Sequence, residues 1–179
     1  MIEVVGNIWS YLPKNYKIGI PTNIGWISTG MAVMGAGLAK QAVQRYPGLL
    51  GWWGDLCRTK KMMTPVAAHP TLPIIAIPTK PLDESHPELS WKQDSDQWII
   101  EGSLMELNEL PGDYPIAVPP LGCGCGGLEM RVVIPIMRKY LKSDRFTLVV
   151  YPTMLGVKRV EVTKGKQDGE KTEDIDLDK

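Results

Sequence analysis

Histidine and cysteine are scarce in this chain. Its 179 residues include two histidines, His69 and His86, and three cysteines, Cys57, Cys123 and Cys125. No Cys-x-x-Cys pair occurs, so a thiolate and imidazole zinc site has poor raw material, and neither a metal nor a cofactor is expected. An odd cysteine count, with two of the three separated by one residue, is no disulfide framework and fits a reducing, cytoplasmic setting. Net charge is absent too. Twenty basic side chains balance twenty acidic ones, so nothing advertises non-specific attachment to nucleic acid. No apolar run reaches the length of a membrane span, and the opening MIEVVGNIW lacks the basic-then-apolar order of a secretory signal. Internal repeats are missing. So are the Gly-x-x-x-x-Gly-Lys-Ser/Thr phosphate loop and the Gly-x-Gly-x-x-Gly dinucleotide turn followed by an acid.

What is present is an ordinary globular composition, 44% hydrophobic and 22% charged, in a length that suits one domain with a sizeable core. Short apolar runs predict strands over 2–6, 17–23, 72–80, 115–120 and 145–152. Helical spacing predicts helices over 33–48, 94–110 and 131–141, the first with Leu38, Ala42 and Tyr46 along one face. Asp94 or Asp96 can cap the second helix, and Pro135 suits the third only within its first turn. Trp52 and Trp53 are expected to pack the first helix pair into the core, with Trp91 and Trp98 in similar roles. Continuous apolar strands alternating with amphipathic helices predict a layered α/β domain. From about residue 161 the sequence turns charged, which places the domain at 1–160 and a solvated tail at 161–179, with an extra edge strand possible in principle over 157–163.

Two glycine-rich stretches stand between a strand and a helix: MGAG (34–37) and GCGCGG (122–127). In open α/β sheets, ligands sit beyond the carboxyl ends of the strands. Helix N-termini there present free N–H groups and a partial positive charge, which suits phosphate. Glycine lets the backbone approach the ligand and adopt positive φ. Either loop alone reads as a tight turn. The pair, at equivalent strand-to-helix positions, predicts a diphosphate gripped from two sides.

These stretches resemble the macro domain, the ADP-ribose-binding α/β/α module. The likeness is strongest to the branch of terminal ADP-ribose glycohydrolases and of antitoxins that strip ADP-ribose from DNA. It rests on VVGNIW (4–9), IGIPTN (18–23), VMGAGLAKQ (33–41), AIPTK (76–80), AVPPLGCGCGGLEM (117–130) and TLVVY (147–151), in that order over residues 2–152. The resemblance implies a three-layer α/β/α fold with a central mixed sheet, and a monomer. It also implies site residues. Asn7, with Ile8, would face adenine, and Asn23 the distal ribose. Val33, Met34, Gly35, Ala36 and Gly37 would line the diphosphate and distal ribose on one side. Gly122, Cys123, Gly124, Cys125 and Gly126 would wrap it on the other. Lys80 would stand near the anomeric carbon as the catalytic residue.

The sequence departs from the family pattern in three places. Asn7 replaces an aspartate, so an adenine N–H would meet a neutral acceptor. The stretch between Asn23 and Val33 looks long, and its Trp26 is expected to pack the loop. Gly126 stands where the eukaryotic terminal hydrolases place an aspartate, as in the DNA-directed antitoxins, which removes the obvious acid partner of a lysine. Asp83, Glu84, Glu129 and His86 are the neighbouring titratable groups, with Asp83 and Glu84 expected to be solvated and His86 exposed. Cys123 and Cys125 read as small residues of a phosphate loop, not as nucleophiles. The function implied is an ADP-ribosyl glycohydrolase, with nucleic acid a partner only as the ADP-ribosylated acceptor. Two alternatives remain: a phosphatase acting on ADP-ribose-1''-phosphate, and a non-catalytic reader.

Overall fold

A computed structural model describes residues 1–155. The predicted boundary at 160, the edge strand over 157–163 and the tail 161–179 lie outside the described residues. Along the chain run β1 (Ile2–Val5), β2 (Lys17–Asn23), α1 (Gly37–Arg45), α2 (Leu49–Lys60), β3 (Ala67–Ala68), β4 (Ile74–Lys80), α3 (Gln97–Glu109), β5 (Ile116–Val118), α4 (Met130–Tyr140) and β6 (Phe146–Val150). The strands form one sheet in the order β1-β6-β5-β2-β4-β3. Every neighbouring pair is parallel except β3 with β4, so the sheet is mixed.

Sheet pleat divides the core into two layers. Alternate residues of one strand point to opposite faces. In β4, Ile74 and Ala76 join one cluster, and Ile75 and Ile77 join the other. In β6, Val149 faces the first cluster, and Phe146, Leu148 and Val150 face the second. Helices α1 and α2 cover the first face with Ala42, Leu49, Trp53 and Cys57. Helices α3 and α4 cover the other with Ile100, Leu104, Leu107, Val133, Ile134 and Met137. Burial on both sides is why these strands read as continuous apolar runs. The result is a three-layer α/β/α sandwich around a mixed sheet, as predicted.

Local predictions needed correction at several points. The first helix does not cover 33–48. Residues 33–36 form a loop, Ala36 is extended (φ −140°, ψ 164°), and the helix begins at Gly37. Asp96 caps α3 by accepting the Ile99 N–H at 3.0 Å, and Asp94 does not. Pro135 lies in the second turn of α4, not the first. It is tolerated because that face is exposed, so the Arg131 carbonyl it leaves without a helical partner can turn to water. Trp98 is 83% exposed. It stands two positions, about 200°, from Ile100 on a helix of 3.6 residues per turn, so it shares the outer face with Met105. Trp91 is exposed as well. Trp53 is buried as expected, and its Nε1 donates to the Asn23 carbonyl at 3.0 Å.

Helix α2 packs closely at Gly54. A Cβ there would overlap the Gly30 carbonyl oxygen and lie 2.6 Å from the Ala32 nitrogen, whereas a Cβ on Gly51 would meet nothing. Alanine is the better helix former at both positions by about 1 kcal/mol. Packing therefore decides the sign. Gly51→Ala should raise stability by up to about 1 kcal/mol, and Gly54→Ala should lower it by about 1–3 kcal/mol. Thermal melts of the two single variants check this.

Candidate functional site

Proline punctuation opens the site. Strands β2 and β5 pair only at Lys17–Ile116 and Ile18–Ala117. Strand β5 then ends at Val118 because Pro119 and Pro120 have no N–H to give a ladder. Strand β2 continues to Asn23 beside β4, with a register shift at Thr22–Asn23 after Pro21. The chain leaves β2 toward β4 and leaves β5 toward β6, the reversal at which open sheets bind ligands. A cleft of about 830 Å³ lies between the diverging carboxyl ends.

Both glycine loops reach this cleft. Its lining brings together Asn23, Val33, Met34, Gly35, Ala36, Gly37, Lys80, Gly122, Cys123, Gly124, Cys125 and Gly126. On one wall, α1 starts without a side-chain cap, so its first N–H groups are left for a partner in the cleft. On the other wall, Gly124 sits at φ +75°, and a Cβ there would enter open space. The 122–127 loop closes on itself through Gly127 N–H to the Gly124 carbonyl and Leu128 N–H to the Gly122 carbonyl, both 3.1 Å. Gly124 lies on the parallel bridge between Cys123 and Leu128, and among the described residues the N–H groups of Cys125 and Gly126 have no acceptor. Consecutive unpaired N–H groups on a positive-φ turn form an anion nest.

Asn7 and Ile8 do not line the cleft. The Asn7 Oδ1 accepts the Trp9 N–H at 3.0 Å and the Tyr151 hydroxyl at 2.9 Å, which makes Asn7 the cap of a short turn over Ile8–Lys14. Tyr151 lines the cleft in its place. The Ile8 side chain is fully buried. Asn23 lines the cleft, but its amide braces the following loop. Its Nδ2 donates to the Val33 carbonyl at 2.7 Å, and its Oδ1 accepts the Gly25 N–H at 2.9 Å. Trp26 lies on that loop and lines a separate hollow of about 550 Å³ with Arg58 and Pro87.

Lys80 ends β4 and is 9% exposed. Its Nζ donates to the Trp91 carbonyl at 3.0 Å and to the Gln93 and Cys125 carbonyls at 2.7 Å. No carboxylate is among these partners. Asp83 accepts the N–H groups of Ser85 and His86 and so closes its own turn. His86 is exposed, with Nδ1 3.5 Å from Glu88. Arg131 pairs with Glu129 and holds its carboxyl below the usual carboxylate range. Glu84 and Asp94 are exposed, the latter beside Gly127.

Sequence reading missed Thr22, Thr79, Ser95, Gln41 and Tyr151, all of which line the cleft. The rule that ligands sit at strand carboxyl ends could have found Thr22 and Thr79. Ser95 carried no such signal, because it reads as the approach to a helix. The Thr22 and Ser95 hydroxyls are buried without a hydrogen-bond partner among the described residues.

No family model matches the chain. A DNA ADP-ribosyl transferase–DNA ADP-ribosyl glycohydrolase fusion protein of Thermosipho africanus is 27% identical over 144 residues, covering 68% of this chain and 36% of the fusion protein. Among solved structures, Thermosipho africanus DarTG in complex with ADP-ribose matches with a TM-score of 0.66 and 25% identity, over 89% of this chain and 43% of that one. The macrodomain of Thermus aquaticus DarG matches with a TM-score of 0.62 and 26% identity, over 84% and 96%. The fold is that of a macro domain. The likeness runs to DarG macrodomains, and the chain spans about a third of the curated fusion protein and under half of the DarTG chain.

The three thiols differ in environment. Burial pushes Cys57 up to about 12 and Cys123 up to about 11, so both stay protonated at neutral pH, whereas Cys125 is exposed in the cleft wall. Thiolate is the reactive form. Iodoacetamide at pH 7.5 should therefore label Cys125 first and leave Cys57 and Cys123 intact in the folded protein. Mass spectrometry of digests checks the order.

Proposed function

We propose that the chain binds ADP-ribose in the cleft and hydrolyses it from a modified acceptor. The observation that carries the reading is the convergence of both glycine loops and Lys80 on one cleft at the reversal of the sheet. Likeness to DarG macrodomains and to a DNA ADP-ribosyl glycohydrolase fusion protein supports it. The acceptor in that relative's name makes ADP-ribosylated DNA the first substrate to try.

In this reading the diphosphate lies between the N-terminus of α1 and the unpaired N–H groups of Cys125 and Gly126. Two half-sites of N–H donors neutralise it without a cation. Hydrolysis then needs water to add at the anomeric carbon, C1'', as the bond from C1'' to the acceptor breaks. The acceptor leaves with the bonding electrons and takes up a proton that the water gives up. Lys80 serves this step as an ammonium that offsets charge on the departing atom. Its three carbonyl acceptors match the three N–H donors of an ammonium, whereas nucleophilic attack would need the free amine. A non-catalytic reader is the second reading, favoured by the lack of a carboxylate against Lys80.

ADP-ribose should bind with a micromolar dissociation constant, about −8 kcal/mol. Gly124→Glu should abolish binding, because it forces a side chain onto a positive-φ position and puts negative charge into the nest. Calorimetry that finds unchanged affinity in a folded variant would remove the diphosphate from this loop. ADP-ribosylated DNA, ADP-ribosylated protein and ADP-ribose-1''-phosphate should then be offered to wild type and Lys80→Ala. The expected result is turnover of an ADP-ribosylated acceptor, cut at least about a hundredfold at saturating substrate in Lys80→Ala, or about 2.7 kcal/mol of barrier. Binding without turnover of any of the three substrates would make the chain a reader.

A further inference from the structure

Lys80 is placed to do more than meet a reacting atom. Each of its N–H donors already has an acceptor, and the acceptors belong to two different walls of the cleft. The Trp91 and Gln93 carbonyls lie on the segment that leads into α3, where the Asp96 N–H is itself tied to the Thr79 carbonyl at 3.0 Å. The Cys125 carbonyl lies on the 122–127 loop. Among the described residues, the one main-chain bond between these walls is Ser95 N–H to the Gly126 carbonyl at 2.9 Å. Drawing the Cys125 carbonyl onto Nζ fixes the plane of the peptide between Cys125 and Gly126. In a trans peptide the N–H points opposite to the carbonyl, so the Gly126 N–H is turned away from Lys80 and stays without an acceptor.

We infer that Lys80 is a positioning residue for the anion nest: its ammonium clamps the 91–93 segment to the 122–127 loop and thereby orients the loop's free N–H groups. The inference rests on the reading that the cleft takes ADP-ribose. Losing the ammonium leaves three part-buried carbonyls facing one another, with no donor to hold the loop in register. The lysine thus acts on binding before any chemistry begins. A lysine that acted in chemistry alone would leave ligand affinity unchanged when removed.

Two variants separate these roles. Lys80→Met keeps an apolar stem and removes the donors, and Lys80→Arg restores donors. Calorimetry with ADP-ribose should show at least a tenfold loss of affinity in Lys80→Met and recovery to within threefold of wild type in Lys80→Arg. Amide hydrogen exchange should quicken in Lys80→Met at residues 91–95 and 122–127 together, while residues 34–37 keep wild-type rates. In wild type, a Lys80 side-chain nitrogen correlation should be visible by NMR at neutral pH through slowed proton exchange, which tests the clamp even if Lys80→Met fails to fold. Affinity within twofold of wild type in Lys80→Met with unchanged exchange, or no slowed Lys80 signal in wild type, overturns the clamp. Wild type that shows the slowed signal but does not bind ADP-ribose overturns the ligand reading and leaves the clamp standing on the exchange data.

Discussion

Strands β2 and β5 touch at two residue pairs and then part, and the cleft depends on that parting. A continued ladder would seal the carboxyl edge with hydrogen bonds. Two consecutive prolines cannot supply the donors, so β5 turns away into the glycine loop while β2 runs on beside β4. The same carboxyl edge holds Thr22, Thr79 and Lys80, so sheet ends, loops and lysine meet without any long-range fold adjustment. The adjoining loops are short of side chains because the space in front of them is reserved for backbone N–H groups. The hydroxyls of Thr22 and Ser95, left without partners, belong to the same economy: polar capacity is held open at the site and not spent on stability.

Much of this was legible in the sequence, for a physical reason. Burial on both faces makes parallel strands apolar without interruption, and each run in turn was followed by glycine or by a helical period. Twelve of the predicted site residues line one cleft because each lies in a loop or strand end set by its immediate neighbours. The surroundings of Asn7 were hidden because they involve Tyr151, 144 positions away, whose hydroxyl donates to the Asn7 Oδ1. Trp98 escaped because an aromatic residue carries no mark of which helix face will be covered. The partners of Lys80 were also hidden. They are main-chain carbonyls, and every residue has one, so no spacing of side chains announces them.

Cysteine in the phosphate loop illustrates a second limit. Cys123 and Cys125 look equivalent in GCGCGG, yet burial raises one thiol to about 11 and leaves the other exposed in the cleft wall. The alternation comes from the loop's turn, where Cys123 tucks toward Leu128 and the α3–α4 layer while Cys125 faces Gly37 across the cleft. Two identical side chains thus end on opposite sides of one strand of backbone.

The sheet keeps the two apolar layers apart, and the two walls of the cleft rest on different ones. The wall at the start of α1 stands on the layer built around Trp53 and Leu49. The 122–127 wall stands on the layer built around Leu104 and Phe146. The binding site is therefore a joint between two foundations that can be rebuilt separately. A lineage could retune one jaw by repacking beneath it while the other keeps its grip, and substitutions in the two layers more than about 10 Å apart would combine nearly additively.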